Sequence, residues 1–158
     1  MTDVIQLKKD NILRIGIKDS NGNDTGEHLE FDMEDIELAL KINECDARHR
    51  KNVEYLKNQL IIIDKKEDKK GKYILSWKEE EKIKLLNEFF KREEEALDLW
   101  LGEGSTKKLL NGRKPYYSMF EDITEMLEPI IPKLQVRAED IISKVKNKYK
   151  KKDENVLE

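Results

Sequence analysis

Cysteine is almost absent from this sequence. Cys45 stands alone, so no internal disulfide can form, and the composition suits a reducing compartment. Three prolines and seven glycines are all that interrupt 158 residues, which favours long helices over a loop-rich fold. His28 and His49 are the only histidines, and without a second His or Cys pair a zinc site lacks donors. No stretch approaches the ~20 apolar residues of a membrane span, and residues 1–9 hold no apolar run of signal-peptide length. A soluble, cytoplasmic protein is expected. The net charge of −3 is too small for a global field that selects nucleic acid or membrane.

What the chain does have is charge. Asp, Glu, Lys and Arg make up 41% of it, against about a quarter in an average domain. Alternation marks the beginning: Leu13, Ile15 and Ile17 alternate with Arg14, Gly16 and Lys18, and Glu27, Leu29 and Phe31 alternate with His28 and Glu30. Between them lies Asn21-Gly22, whose residues tolerate the positive φ of a tight hairpin turn. The pattern predicts a β-hairpin over 12–32, and Val4, Ile5 and Leu7 are candidates for a third strand.

Helical periodicity then takes over. Ile36, Ala39, Ile42, Cys45, His49, Val53, Leu56, Leu60 and Ile63 recur every three or four residues, predicting a helix over about 34–65 opened by Asp32 or Glu34. A polar connector, Lys65 to Lys72, leads to Ser76-Trp77-Lys78-Glu79, a capping box that opens a helix over 76–101. The two should pair antiparallel, with Trp77 and Trp100 in the core. Gly102-Glu103-Gly104 closes the second helix, with Ser105 as N-cap of a short helix over 105–110. After Asn111-Gly112-Arg113-Lys114-Pro115, Ser118 and Glu121 form a second capping box for a helix over 118–131 that stops before Pro132. The fold class is mainly α with a small N-terminal β-hairpin: a long antiparallel helical hairpin plus shorter C-terminal helices. Residues 1–132 form one domain, 133–150 a C-terminal helix suited to a partner, and 151–158 a flexible tail.

Little in this pattern carries chemistry. Asp46 and His49 lie one turn apart, but nothing completes a metal site, and the Glu-x-x-His repeat of helical di-metal proteins does not occur. Cys45 and His49 have the spacing of an activated thiol, yet both fall on the apolar stripe, where a packed cysteine and a structural or solvated histidine are the expected outcome. Glu79-Glu80-Glu81 and Glu93-Glu94-Glu95 point in different directions around a helix and read as a solvated face paired with neighbouring lysines. Gly102-Glu103-Gly104 follows a helix rather than a strand, so it is no phosphate cradle. No catalytic residue, metal or cofactor is expected, and the protein should act by contact rather than as an enzyme.

Two features suggest where contact occurs. Residues 27–46 carry eight acids against Lys41 alone, whereas residues 133–152 carry eight bases against Glu139 and Asp140. Such asymmetry can drive head-to-tail association into a homo-oligomer or attract an acidic partner. The apolar stripe of the final helix, Val136, Ile141, Ile142, Val145 and Tyr149, is too narrow for full burial and suits a partner groove. Tyr116 and Tyr117 read equally as packing or as exposed contact. The candidate partner-binding residues are therefore Tyr116, Tyr117, Ile141, Ile142 and Val145.

Phe31-Asp32-Met33-Glu34-Asp35-Ile36-Glu37-Leu38 enters the first helix from a small hairpin. Leu99-Trp100-Leu101-Gly102-Glu103-Gly104-Ser105-Thr106-Lys107-Lys108-Leu109-Leu110 closes one helix and opens the next, before the break and the helix carrying Phe120 to Ile131. In this order, over about residues 12 to 132, the chain resembles the tail assembly chaperones of long-tailed bacteriophages and prophages of Gram-positive hosts. The resemblance implies a small, largely helical protein without an active site that coats the tape measure protein before the tail tube polymerises around it. Its implied partners are the tape measure protein and the tail tube protein. Two other readings stay open: a nucleic-acid-binding accessory protein using the basic C-terminal helix, and a helical scaffold or adaptor.

The resemblance also implies a longer product made by −1 ribosomal slippage. Lys150-Lys151-Lys152 permits an A-rich slippery heptamer. Sequencing the gene should find that heptamer at these codons with an overlapping −1 frame; a gene lacking both removes the expectation.

Overall fold

A computed structural model of the chain describes residues 2–7 and 10–157, with side chains as far as residue 150. The protein is mainly helical, with an N-terminal antiparallel hairpin of β1 (Ile12–Lys18) and β2 (Asp24–Asp32). Leu13 pairs with Phe31 and Ile15 with Leu29, so the odd-numbered residues share the inner face. The turn is longer than a two-residue type I′ hairpin. Asp19 Oδ1 accepts the Asn21 and Asn23 amides, both at 2.9 Å, and in the turn only Gly22 takes positive φ. An aspartate gathering the amides two and four residues on thus replaces the expected Asn-Gly geometry. Residues 2–7 form no strand, and Val4, Ile5 and Leu7 are exposed.

Helix α1 (Glu37–Asp64) starts three residues later than the periodicity predicts. Residues 32–35 are instead a turn in which Asp32 accepts the amides of Glu34 and Asp35, and Asp35 Oδ1 accepts that of Glu37. The connector folds back on the next helix, with Asp68 Oδ1 accepting the Lys78 amide at 3.0 Å and the Lys69 carbonyl that of Trp77 at 2.8 Å. A Cβ on Gly71 would sit 1.4 Å from the Leu75 carbonyl oxygen, so this return requires glycine. Helix α2 (Trp77–Leu101) opens with the capping box expected at Ser76 and Glu79.

The pairing of α1 with α2 has two halves. Buried residues cluster on the first part of α1, Leu38 and Cys45, and on the last part of α2, Ala96, Leu97, Trp100 and Leu101. There the hairpin closes the core, Phe31 stacking on Trp100 with ring centroids 5.7 Å apart. The outer half holds no buried residue on either helix, and Trp77 is half-buried under Lys66 rather than in the core.

The stop between α2 and α3 (Ser105–Leu110) is built differently from a serine cap. Gly104 occupies the N-cap position, and Asp98, one turn before the end of α2, reaches across the break. Its carboxylate accepts from the Gly104 amide at 3.1 Å, the Thr106 amide at 3.0 Å and the Thr106 hydroxyl at 2.6 Å. Ser105 Oγ donates to the Leu101 carbonyl instead. Gly102 turns the chain at φ +104°, open to glycine alone.

Helix α4 (Met119–Leu127) lacks the capping box expected at Ser118, whose hydroxyl donates to Asp122 at 3.0 Å. It also ends four residues short of prediction, because Pro129 has no amide to continue it. Helix α5 (Ile131–Leu157) follows at once, with Pro132 in its first turn, where the missing amide has no helical partner to lose. Its backbone continues to Leu157, past the point where the lysine-rich end was expected to fray. Among the described residues no helix is long and apolar enough to cross a membrane.

Asp98→Ala removes three accepted hydrogen bonds and is expected to lower stability by about 1–2 kcal/mol. Ser105→Ala, which loses one bond, should cost less when both variants are unfolded in urea.

Candidate functional site

The most polar point of the interior lies where α1, α2 and α4 meet. Glu93 is only 2% exposed, although it belongs to a Glu-Glu-Glu run that reads as solvated. Its Oε2 accepts from His49 Nδ1 and its Oε1 from Asn52 Nδ2 at 2.9 Å. His49 and Asn52, three residues apart, share the inner face of α1 and form a two-donor cradle. Phe120 of α4 stacks on the His49 ring at 3.9 Å and 5°. Burial of a carboxyl side chain is tolerated because both oxygens are satisfied.

The bond to Glu93 raises the His49 pKa above its ordinary 6.5; burial opposes this, and the charges of Glu93, Glu121 and Asp46 add to it. Cys45, one turn away on α1, moves against reactivity. Burial, reinforced by the charge of Glu93, pushes its thiol up to about 12, so it is a packed core residue and not an activated nucleophile. The sequence held one signal for this cluster. Phe90, Glu93, Leu97 and Trp100 follow one stripe of α2, and an acid on an apolar stripe facing a His on the other helix marks a buried pair.

The residues expected to touch a partner fall into two groups. Tyr116 is half-buried, its hydroxyl donating to Asp122 at 3.0 Å and its ring 4.0 Å from the Arg113 guanidinium, so it packs rather than projects. Tyr117 beside it is 88% exposed. On α5, Ile142 (54%) and Val145 (49%) are exposed while Ile141 is half-buried. Among the described residues Leu134 is the last buried one of this helix, which runs on with an open apolar stripe flanked by lysines.

The acidic and basic segments meet within the chain. Arg137 Nη2 lies 2.6 Å from Glu34 Oε1 and Nη1 lies 2.7 Å from Asp140, pinning the root of α5 beside the entry to α1. An open apolar groove of about 650 Å³ separates β1 from α3 and α4, lined by Ile15, Ile17, Leu109, Leu110, Met126 and Ile130. Among the described residues no three His, Cys, Asp or Glu side chains gather as a metal site. No known protein family, curated protein or solved structure matches the chain.

Because the folded-state pKa of His49 is raised, its contribution to stability is full below pH 6.5 and is lost as the pH rises through the folded value. Urea titrations at stepped pH should show wild-type stability declining above pH 6.5 and His49→Gln flattening that decline; equal slopes contradict it. Glu93→Ala strands two donors and leaves a cavity, and should cost about 2–4 kcal/mol.

Proposed function

We propose that this chain is a non-enzymatic tail assembly chaperone of a long-tailed phage or prophage. It binds the tape measure protein in the host cytoplasm and keeps it soluble until the tail tube closes around it. The observation that carries this reading is the exposed stripe of Ile142, Val145 and Tyr149 on a helix bearing Lys144, Lys146 and Lys148. A tape measure protein is a long helical chain whose apolar stripes aggregate before they are covered. A narrow apolar stripe on a highly charged body covers such a surface without forming a large dry interface. Release then stays possible, and the flanking lysines make the contact sensitive to salt. Tyr117, exposed in the turn before α4, offers a second apolar contact. The order of hairpin, two long helices, glycine stop, short helix and further helices is also the order on which the family resemblance rests.

The lysines of α5 favour one rival, a nucleic-acid-binding accessory protein gripping phosphates. That reading requires retention on DNA or RNA falling steeply with salt.

Co-expression with the tape measure protein encoded beside it should raise the soluble yield of that protein. Ile142→Asp with Val145→Asp should abolish the gain while the far-UV circular dichroism of the chaperone is unchanged. An unchanged yield with the wild-type chain overturns the proposal, and salt-sensitive retention on nucleic acid would replace it with the rival.

A further inference from the structure

The exposed stripe of α5 has a symmetry that a contact surface for an unrelated partner does not need. Ala138 and Tyr149 stand equally far from the midpoint between Ser143 and Lys144, and so do Ile142 and Val145. At about 100° per residue these four side chains fall within about 60° of one another, on one face of the helix. Ile142, Val145 and Tyr149 are 54%, 49% and 54% exposed and Ala138 is half-buried, so among the described residues that face is open over its outer three positions. Within Ala138–Tyr149 charge is polarised about the same midpoint: Glu139 and Asp140 lie before it, and Lys144, Lys146 and Lys148 after it.

We infer that α5 pairs antiparallel with α5 of a second copy of this chain across Ala138–Tyr149, about a two-fold axis at residues 143–144. Ile142 then sits level with the second copy's Val145, and Ala138, the smallest residue of the stripe, faces Tyr149, the largest. Small against large is what close packing of two helices requires. On one flank Glu139 comes within a turn of the second copy's Lys146, and symmetry makes this contact twice. Each lysine-rich end also approaches the other copy's acidic segment, because the Arg137–Glu34 pair holds the root of α5 against the entry to α1. A parallel pairing would set lysines against lysines over the same length.

The paired length is about 17 Å, well short of an obligate interface, so the dimer is weak, concentration-dependent and weakened by salt. It covers Ile142 and Val145, so self-pairing and binding of another helix at that stripe exclude each other. The pairing itself does not depend on the identity of that other helix.

Sedimentation of the full chain over a concentration series tests this. The wild type should pass from monomer to dimer. Glu139→Lys and Lys146→Glu should each weaken the dimer roughly tenfold, through two lost ion pairs made worse by like-charge contact. The double variant, with both signs exchanged, should regain most of the wild-type affinity. Ile142→Asp with Val145→Asp should remain monomeric throughout. A wild type that stays monomeric, an Asp variant that still dimerises, or a charge-swapped double variant no better than the singles overturns the inference. The exchanged charges lie at exposed positions, so that arm decides the matter even if the aspartates disturb the helix.

Discussion

A carboxyl group inside an apolar interface is costly unless both oxygens are satisfied, and in this protein that requirement falls on Glu93. His49 and Asn52 meet it together, which fixes the relative height of the two long helices. A slide of α2 by one turn would carry Glu93 off the cradle and bring an apolar residue, Phe90 or Leu97, to it. Leu and Ile side chains along a stripe are interchangeable by comparison and leave such slides cheap. The polar cluster therefore supplies register where hydrophobic contact supplies only attraction. Through the stacked Phe120, the same histidine also locates α4, so three helices take their positions from one buried acid.

The second constraint is Asp98. Its three accepted bonds turn the chain by tying α2, Gly104 and Thr106 into a rigid corner, with Thr106 fully buried. From that corner α3 and α4 are set against the hairpin, and the core of Phe31, Trp100, Leu97 and Met119 closes between them. Tight packing is confined to this end. The outer half of the α1–α2 pair and the outer part of α5 extend from it with half-covered apolar residues. One compact body thus carries two helical projections of high charge.

Elements governed by local chemistry were legible in the sequence. The period-two alternation of β1 and β2, the Ser76 capping box, the glycine stop and the boundaries of α2 and α3 are all formed as the residues predict. What stayed hidden depends on residues far apart. Glu93 is locally indistinguishable from Glu94 and Glu95, and only α1, 41 to 44 positions earlier, makes it different. Asp98 displaced Ser105 as the capping group because a carboxylate one turn back accepts more amides than a hydroxyl on the spot. Pro132 reads as a terminator and acts as an initiator, since a proline permits a helix to begin where it forbids one to continue. For the expected contact residues, periodicity alone could not separate exposed Ile142 from half-buried Ile141, nor Tyr117 from the packed Tyr116.

Cys45 lies on the same face of α1 as the polar cluster, 3% exposed and with its proton held tightly. Alkylating reagents need both access and a thiolate, and the closed interface denies them both. The lone sulfur is thus a built-in clock for separation of the two long helices. Its rate of modification counts how often they part, without any label having to be introduced.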